Sequence, residues 1–255
     1  MIDSTFGLHR YYGLEDAYFW IKVQRDMVIR LASPLLNNLA RSRKLKILDA
    51  GCGKGGLLAL LSYRGEVMGV DASEEAVNFC REKYNFKVQP ALIQDLPFVD
   101  SAFDFIFCVD VIEHLEDDLK AMRELYRVLK PGGFLITTIP AFMSLWGYHD
   151  QEQGHFRRYT KATFFQLSTQ AGFKIGRFYY FKSLLFLPLY FMRKFKKAIS
   201  LNSDDFYRPT PIINQLLCAL LSIDNIIATI VNLPIGTSLI AVLSKQNKYR
   251  EVTGV

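Results

Sequence analysis

Cysteine is scarce and scattered in this chain. Its 255 residues hold four, Cys52, Cys80, Cys108 and Cys218, far apart and in no paired spacing. That excludes a disulfide framework and a cysteine-rich metal fold, and fits thiols kept reduced inside a cell. No cluster with metal-ligand spacing is evident, so no metal ligands are assigned. The start of the chain shows no basic segment followed by an apolar core, so no secretory signal is expected and the expected location is the cytoplasm. A long basic tail and a recognisable nucleic-acid module are both missing. The formal net charge of +6 favours acidic partners without naming one, and nucleic acid is not expected among them. Acids are absent from residues 177 to 199 altogether. Half of the residues are apolar, enough to bury a sizeable core.

What the chain does have is a strand feeding a glycine-rich turn. Lys44-Leu45-Lys46-Ile47-Leu48-Asp49-Ala50 runs into Gly51-Cys52-Gly53-Lys54-Gly55-Gly56, and Leu57-Leu58-Ala59-Leu60-Leu61 continues as a helix. Glycine there lets a ligand approach the main chain, and the helix N-terminus that follows offers free N–H groups. Gly51-x-Gly53-x-x-Gly56 also matches a dinucleotide fingerprint, so the turn alone does not choose the ligand. Asp71 closes the next strand candidate, at the offset expected of a carboxylate that grips ribose hydroxyls. Together these predict an adenosine-containing cofactor. Asp49 narrows the choice. A carboxylate two residues before the first glycine suits an ammonium or sulfonium better than a pyrophosphate. A nicotinamide oxidoreductase is therefore the weaker alternative.

From 44 to 145 short apolar runs alternate with amphipathic segments. Strands are expected at 45–49, 66–71, 87–93, 103–109 and 134–139, with helices between them such as Glu74 to Tyr84, capped by Ser73, and Leu119 to Leu129. Ala171-Gly172-Phe173-Lys174-Ile175 opens a sixth strand, and Ser238 to Lys245 reads as a seventh. Alternation of this kind predicts an α/β fold with a doubly wound, largely parallel sheet, its ligands held beyond the carboxyl ends of the strands. Asp49, Asp71, Asp95 and Asp110 all fall at or just after such ends.

Five stretches in order carry a specific resemblance. Asp49-Ala50-Gly51-Cys52-Gly53-Lys54-Gly55, Val70-Asp71-Ala72-Ser73, Gln94-Asp95-Leu96-Pro97-Phe98, the run Phe103 to Leu115 containing Asp110-Val111-Ile112-Glu113-His114, and Leu125 to Gly133 together resemble the motifs of class I S-adenosylmethionine-dependent methyltransferases. The resemblance covers about residues 40 to 180. It implies a seven-stranded Rossmann-like sheet with strand seven antiparallel, and S-adenosylmethionine as cofactor with S-adenosylhomocysteine as product. It implies cofactor contacts from Asp49, Gly51, Cys52, Gly53, Gly55, Asp71, Ala72, Asp95, Leu96, Asp110, Val111 and His114, with Asp95 facing the adenine. His114 reads either as cofactor-proximal or as a structural helix cap. A subset of such enzymes carries an aromatic N-terminal helix over the methionine end of the cofactor, which adds Trp20 and Arg25; the bland reading packs that helix on the sheet. The helix is expected from Glu15 to about Ala32, disturbed at Ser33-Pro34.

The stretch from Pro140 to Thr160 is expected on the acceptor side. His149 and His155 are candidate general bases. Trp146, Tyr148, Arg157, Arg158 and Tyr159 are candidates to hold an acceptor, the arginines an anionic one. The competing reading is a structured loop in which Thr160 caps the next helix. Residues 182–236 form an apolar and basic helical insertion between strands six and seven. Its first part, from Tyr179 to Met192, is too short and too broken by Lys182 and Pro188 to span a bilayer. Its second, Leu216 to Leu233, carries Asp224 and Asn225 at its centre, against a lipid-buried span. A membrane interface on the inner face is expected to compete with packing on the core or with a dimer surface. The organisation expected is thus a helical cap over 1–43, a cofactor-binding core over 44–181, the insertion over 182–236, and a last strand and tail over 237–255. The function expected is methyl transfer from S-adenosylmethionine to a small-molecule, glycan or lipid-linked acceptor, hydrophobic or anionic. The alternative is a non-catalytic scaffold or membrane-docked partner that binds the same cofactor.

Overall fold

The computed structural model describes residues 18–41, 43–201, 203 and 209–246. In chain order they form α1 (Phe19–Ala40), β1 (Lys46–Ala50), α2 (Gly56–Leu61), β2 (Glu66–Asp71), α3 (Glu74–Tyr84), β3 (Val88–Pro90), β4 (Phe103–Val109), α4 (Asp118–Val128), β5 (Leu129–Pro140), α5 (Tyr148–Glu152), α6 (Lys161–Gln170), β6 (Lys174–Phe181), α7 (Phe186–Ala198), α8 (Pro211–Val231) and β7 (Ser238–Ser244). The strands make one sheet in the order β3-β2-β1-β4-β5-β7-β6. The pairs among β1 to β5 are parallel, and β7 runs antiparallel between β5 and β6. This is the doubly wound sheet with a reversed seventh strand that the sequence predicts. Its order turns back at β1 and β4, which opens a crevice beyond their carboxyl ends.

Central strands read as unbroken apolar runs because both sheet faces are covered. In β1, Ile47 packs with α1 and α2 on one face, while Leu48 packs with α4 and α6 on the other. In β4, Phe105 and Phe107 join the first layer and Ile106 and Cys108 the second. Each such fully buried side chain contributes about 1.5–3 kcal/mol before the entropy of ordering is set against it.

Several elements differ from the sequence-based expectations. Helix α1 does not end at Ser33-Pro34 but continues to Ala40. Pro34 removes the donor for the carbonyl of Arg30, yet Ser33 Oγ donates to the Ile29 carbonyl at 2.7 Å, and Leu36 beyond it is buried in the core. Packing outweighs one lost hydrogen bond. Glu15 to Ala17, the expected start of this helix, lie outside the described residues. β3 ends at Pro90, short of the expected 87–93, although the Ala91 N–H still donates to the Asp71 carbonyl at 3.0 Å. Tyr179 to Phe181 finish β6 instead of opening the insertion, because their side chains pair across β7 from Ile240 to Ser238.

Helix α8 wears its polarity the wrong way round for a soluble helix. Its buried residues are Leu221, Asp224, Asn225 and Ala228, whereas Ile212, Leu216, Leu220, Ile223, Ile230 and Val231 are exposed. Asp224 accepts the Ser183 N–H at 2.6 Å, and Asn225 donates to the Val23 carbonyl of α1 at 3.1 Å. At the other end Asn214 accepts the Phe19 N–H at 2.9 Å, satisfying an orphan donor at the start of α1. Among the described residues α8 is the helix long and apolar enough to cross a membrane by length and composition, but its two central polar residues point into the protein. Helix α7 repeats the pattern. Arg193 is buried, while Leu187, Phe191 and Phe195 are exposed beside Lys194, Lys196 and Lys197.

Candidate active site

A cavity of about 1100 Å³ opens at the carboxyl edge of the sheet. Pockets for single small ligands run to roughly 300–1,000 Å³, so this one has room for a cofactor and a second molecule. The turn after β1 forms its floor. Gly51 takes φ +84° there, and a Cβ on it would stand 2.2 Å from Val111 Cγ2. No L side chain fits that position. At Gly56 a Cβ would lie 2.0 Å from the guanidinium of Arg25, the far end of a flexible side chain. The helix from the N-terminal region thus lays Arg25 directly on the glycine turn.

Two carboxylates set the field of the floor. Asp71 shapes the turn, accepting the Gly53 N–H at 2.8 Å through Oδ2 and the Ser73 N–H at 2.9 Å through Oδ1. Asp49 is only 2% exposed, and its Oδ2 finds no hydrogen-bond partner among the described residues. Burial pushes its carboxyl well up, and the charge of Asp71 adds to this, against the opposing charge of Arg25. An acid in that state needs a cationic neighbour. An ammonium group beside it would restore the ordinary carboxylate, which is the fit expected of the methionine end of S-adenosylmethionine. The thiols nearby are not nucleophiles. None of the four cysteines is in a disulfide, and Cys52 is held up by its hydrogen bond with Cys80 and by burial.

Over the floor, α1 contributes Trp20, Gln24 and Arg25 to the lining. Gln24 is the residue that sequence reasoning missed. It donates to Asp110 Oδ2 at 2.5 Å and to Thr138 Oγ1 at 3.1 Å, and it accepts from Lys182 Nζ at 2.5 Å. Thr138 Oγ1 in turn donates to Asp110 Oδ1 at 2.7 Å. Lys182 is wholly buried, with its ammonium 3.8 Å from the centroid of the Trp20 ring. Desolvation pushes this amine from 10.5 down to about 7, with Asp110 opposing. The unfolded chain therefore keeps its proton up to about pH 10.5 and the folded chain only to about 7. Between those values the unfolded state binds more protons, so stability rises with pH by about 1 kcal/mol per pH unit. Calorimetry of the wild type should show Tm climbing from pH 7 to 9, and Lys182→Met should flatten that climb.

The second half of the cavity belongs to the segment after β5. His149, His155 and Arg158 line it, as do Glu113 and His114 from the turn after β4. A hub of charge holds this wall. Asp150, fully buried, accepts from His155 Nδ1 at 3.0 Å, Arg158 Nε at 2.7 Å, Arg193 at 3.1 Å and the Gly147 N–H at 2.9 Å. Burial alone would raise its carboxyl, but the His155 hydrogen bond and the two guanidinium charges outweigh it and hold the group well below the usual range. Arg193 also donates to the Leu145 carbonyl, so helix α7 is tied to the acceptor wall. Nothing local in the sequence signals that tie across 43 residues. The His155 ring meets His114 edge to face, centroids 4.6 Å apart. Burial, then the neighbouring His155, lowers His114 to about 4, so its imidazole is neutral near pH 7.

Not every expected site residue reaches the cavity. Asp95 is exposed and Leu96 is buried in the core behind it; Ile93 and Gln94 line the wall in their place. The short β3 turns the chain early, so the residues before Asp95 face inward. Gly55 lies just outside the lining and caps α2 at φ +79°. Tyr159 is a core residue whose hydroxyl donates to Asp118 at 2.8 Å, and Arg157 turns away to pair with Asp118 at 2.9 Å. Trp146 and Tyr148 sit at the start of α5, off the lining. Thr160 caps α6, accepting the Thr163 N–H at 3.2 Å. The capping of α6 by Thr160 is the one that the competing reading of this loop expects. Arg158 lines the wall, but its guanidinium is committed to Asp150 and the Ala141 carbonyl. Asp49, Gly51, Cys52, Gly53, Asp71, Ala72, Asp110, Val111 and His114 all converge on the cavity as expected.

The fold and this strand-edge cavity define a class I Rossmann-like methyltransferase architecture. Residues 48–137 match the methyltransferase domain family. A relative named as a probable S-adenosylmethionine-dependent methyltransferase, from Mycolicibacterium smegmatis, is 28% identical over 167 residues, covering 64% of this chain and 62% of its own length. A demethylmenaquinone methyltransferase from Staphylococcus aureus is 30% identical over 157 residues, covering 56% and 60%. This chain thus spans about three fifths of the length of the curated relatives it matches. An S-adenosylmethionine-dependent methyltransferase from Mesorhizobium loti shares the fold at a TM-score of 0.53 and 16% identity, over 84% of this chain and 97% of that one.

Proposed function

We propose that this protein moves a methyl group from S-adenosylmethionine to an amphiphilic, lipid-linked acceptor at the cytoplasmic face of a membrane. The observation that carries the cofactor reading is Asp49, buried and unpartnered at Oδ2 on the floor of the cavity. Asp71 stands where ribose hydroxyls would be held, and Arg25 where it can pair with the methionine carboxylate. When bound, the cofactor supplies an electrophilic methyl on a sulfonium that is already a good leaving group. The protein's task is then to position the acceptor and exclude water. His149 and His155 are the groups on the wall able to take a proton from an acceptor hydroxyl.

Support for an amphiphilic acceptor comes from the insertion. Helices α7 and α8 turn apolar faces outward, α7 with Lys194, Lys196 and Lys197 beside its own, and α7 reaches the acceptor wall through Arg193. One relative is named as a demethylmenaquinone methyltransferase. Incubating the protein with labelled S-adenosylmethionine and separated membrane-lipid and soluble extracts tests the proposal. Label is expected in the lipid fraction, and His149→Ala or His155→Ala should lower transfer at least tenfold while cofactor binding persists. Label confined to the soluble fraction overturns the lipid-linked acceptor. Binding without transfer to any fraction favours the scaffold reading.

A further inference from the structure

Three side chains with metal-ligating atoms meet on the acceptor wall, although their positions in sequence give no hint of it. The ligand atoms of Glu113, His114 and His155 all lie within 4.8 Å of one another. The meeting is built into the backbone: the Phe156 N–H donates to the Glu113 carbonyl at 2.8 Å, which fixes the second segment against the first. Each imidazole is held through one nitrogen. His155 Nδ1 bonds Asp150 at 3.0 Å, and the His114 ring bonds the backbone of Gln153. That leaves one further nitrogen on each ring. Glu113 is 1% exposed, and its Oε2 has no hydrogen-bond partner among the described residues. A buried carboxylate oxygen without a partner is costly unless a cation or donor meets it.

We propose that Glu113, His114 and His155 bind a divalent first-row transition-metal ion at the acceptor side of the cavity. Two imidazoles and one carboxylate suit such an ion and not magnesium or calcium, which prefer all-oxygen sites. Three protein ligands leave positions open for an exogenous oxygen. Asp150 has the place of the carboxylate that orients a metal-bound histidine from behind. The present spacing is wider than that of a closed site, in which metal–ligand bonds run to about 2.0–2.2 Å. The ion assigns His155 to ligation and leaves proton transfer to His149. Its role toward an acceptor oxygen, lowering the pKa of a hydroxyl, rests on the function proposed above; its binding does not.

The test is metal binding by the full chain, untagged and freed of metal by chelation, with Co²⁺ as probe. Calorimetry should show one ion per chain, with a visible Co²⁺ absorption band and displacement by Zn²⁺ but not by Mg²⁺. Glu113→Gln and His155→Ala should each weaken binding at least tenfold, and Asp150→Asn about tenfold. Circular dichroism of each variant separates loss of the site from loss of the fold. No saturable Co²⁺ binding below about 1 mM, or binding that folded Glu113→Gln and His155→Ala proteins retain unchanged, overturns the site. Stoichiometric binding with no methyl transfer would leave the site standing and overturn only the function.

Discussion

Replacing Asp150 with alanine should lower the stability of the protein by about 3–5 kcal/mol, the cost typical of breaking a buried ion-pair network. Two guanidinium groups, Arg158 and Arg193, would be left buried with their shared counter-charge gone. Arg158 is already pressed downward by desolvation, so little else compensates it. In a chain of this size the loss is expected as a fall in Tm of about 10 °C or more by calorimetry. Asp150→Asn, which keeps the shape and the acceptor oxygen, should fall between. The depressed carboxyl also fixes the pH dependence. Its contribution is present above its ordinary pKa of 3.8 and is lost as pH falls below that value. A Tm within 2 °C of the wild type would show that the arginines find other partners.

The second large effect is on cofactor affinity. Asp71→Ala should weaken S-adenosylmethionine binding about 100-fold or more in titration calorimetry. One carboxylate does two jobs there. It holds the N–H groups of Gly53 and Ser73, and its position at the end of β2 is where ribose hydroxyls are expected. Charge-assisted hydrogen bonds of this type contribute about 1.5–3 kcal/mol each, and losing one or two accounts for the factor. Asp71→Asn, able to accept at only one oxygen, is expected to lose about tenfold. Affinity unchanged by Asp71→Ala would remove the ribose assignment and, with it, the reading of the cavity floor.

The cofactor half of the site was legible in sequence because its residues are local. The turn from Gly51 to Gly56 and the acid at Asp71 are fixed by strand ends that short apolar runs announce. The roof over it and the acceptor half were not, because they are assembled by long-range pairing. Gln24 and Lys182 meet across 158 residues, and Arg193 reaches Asp150 from an insertion read only for its apolar character. The direction of a side chain in an irregular loop also escapes spacing arguments. Arg157 and Arg158 are neighbours, yet one faces Asp118 on the outside and the other Asp150 within. Pro34 misled for a related reason: a local rule against helix was overruled by the burial of Leu36.

Helix α1 roofs the cavity, and its first two turns are fastened to α8 by Asn214 and Asn225. The wall over the cofactor floor is therefore anchored through polar side chains carried by an apolar, outward-facing helix.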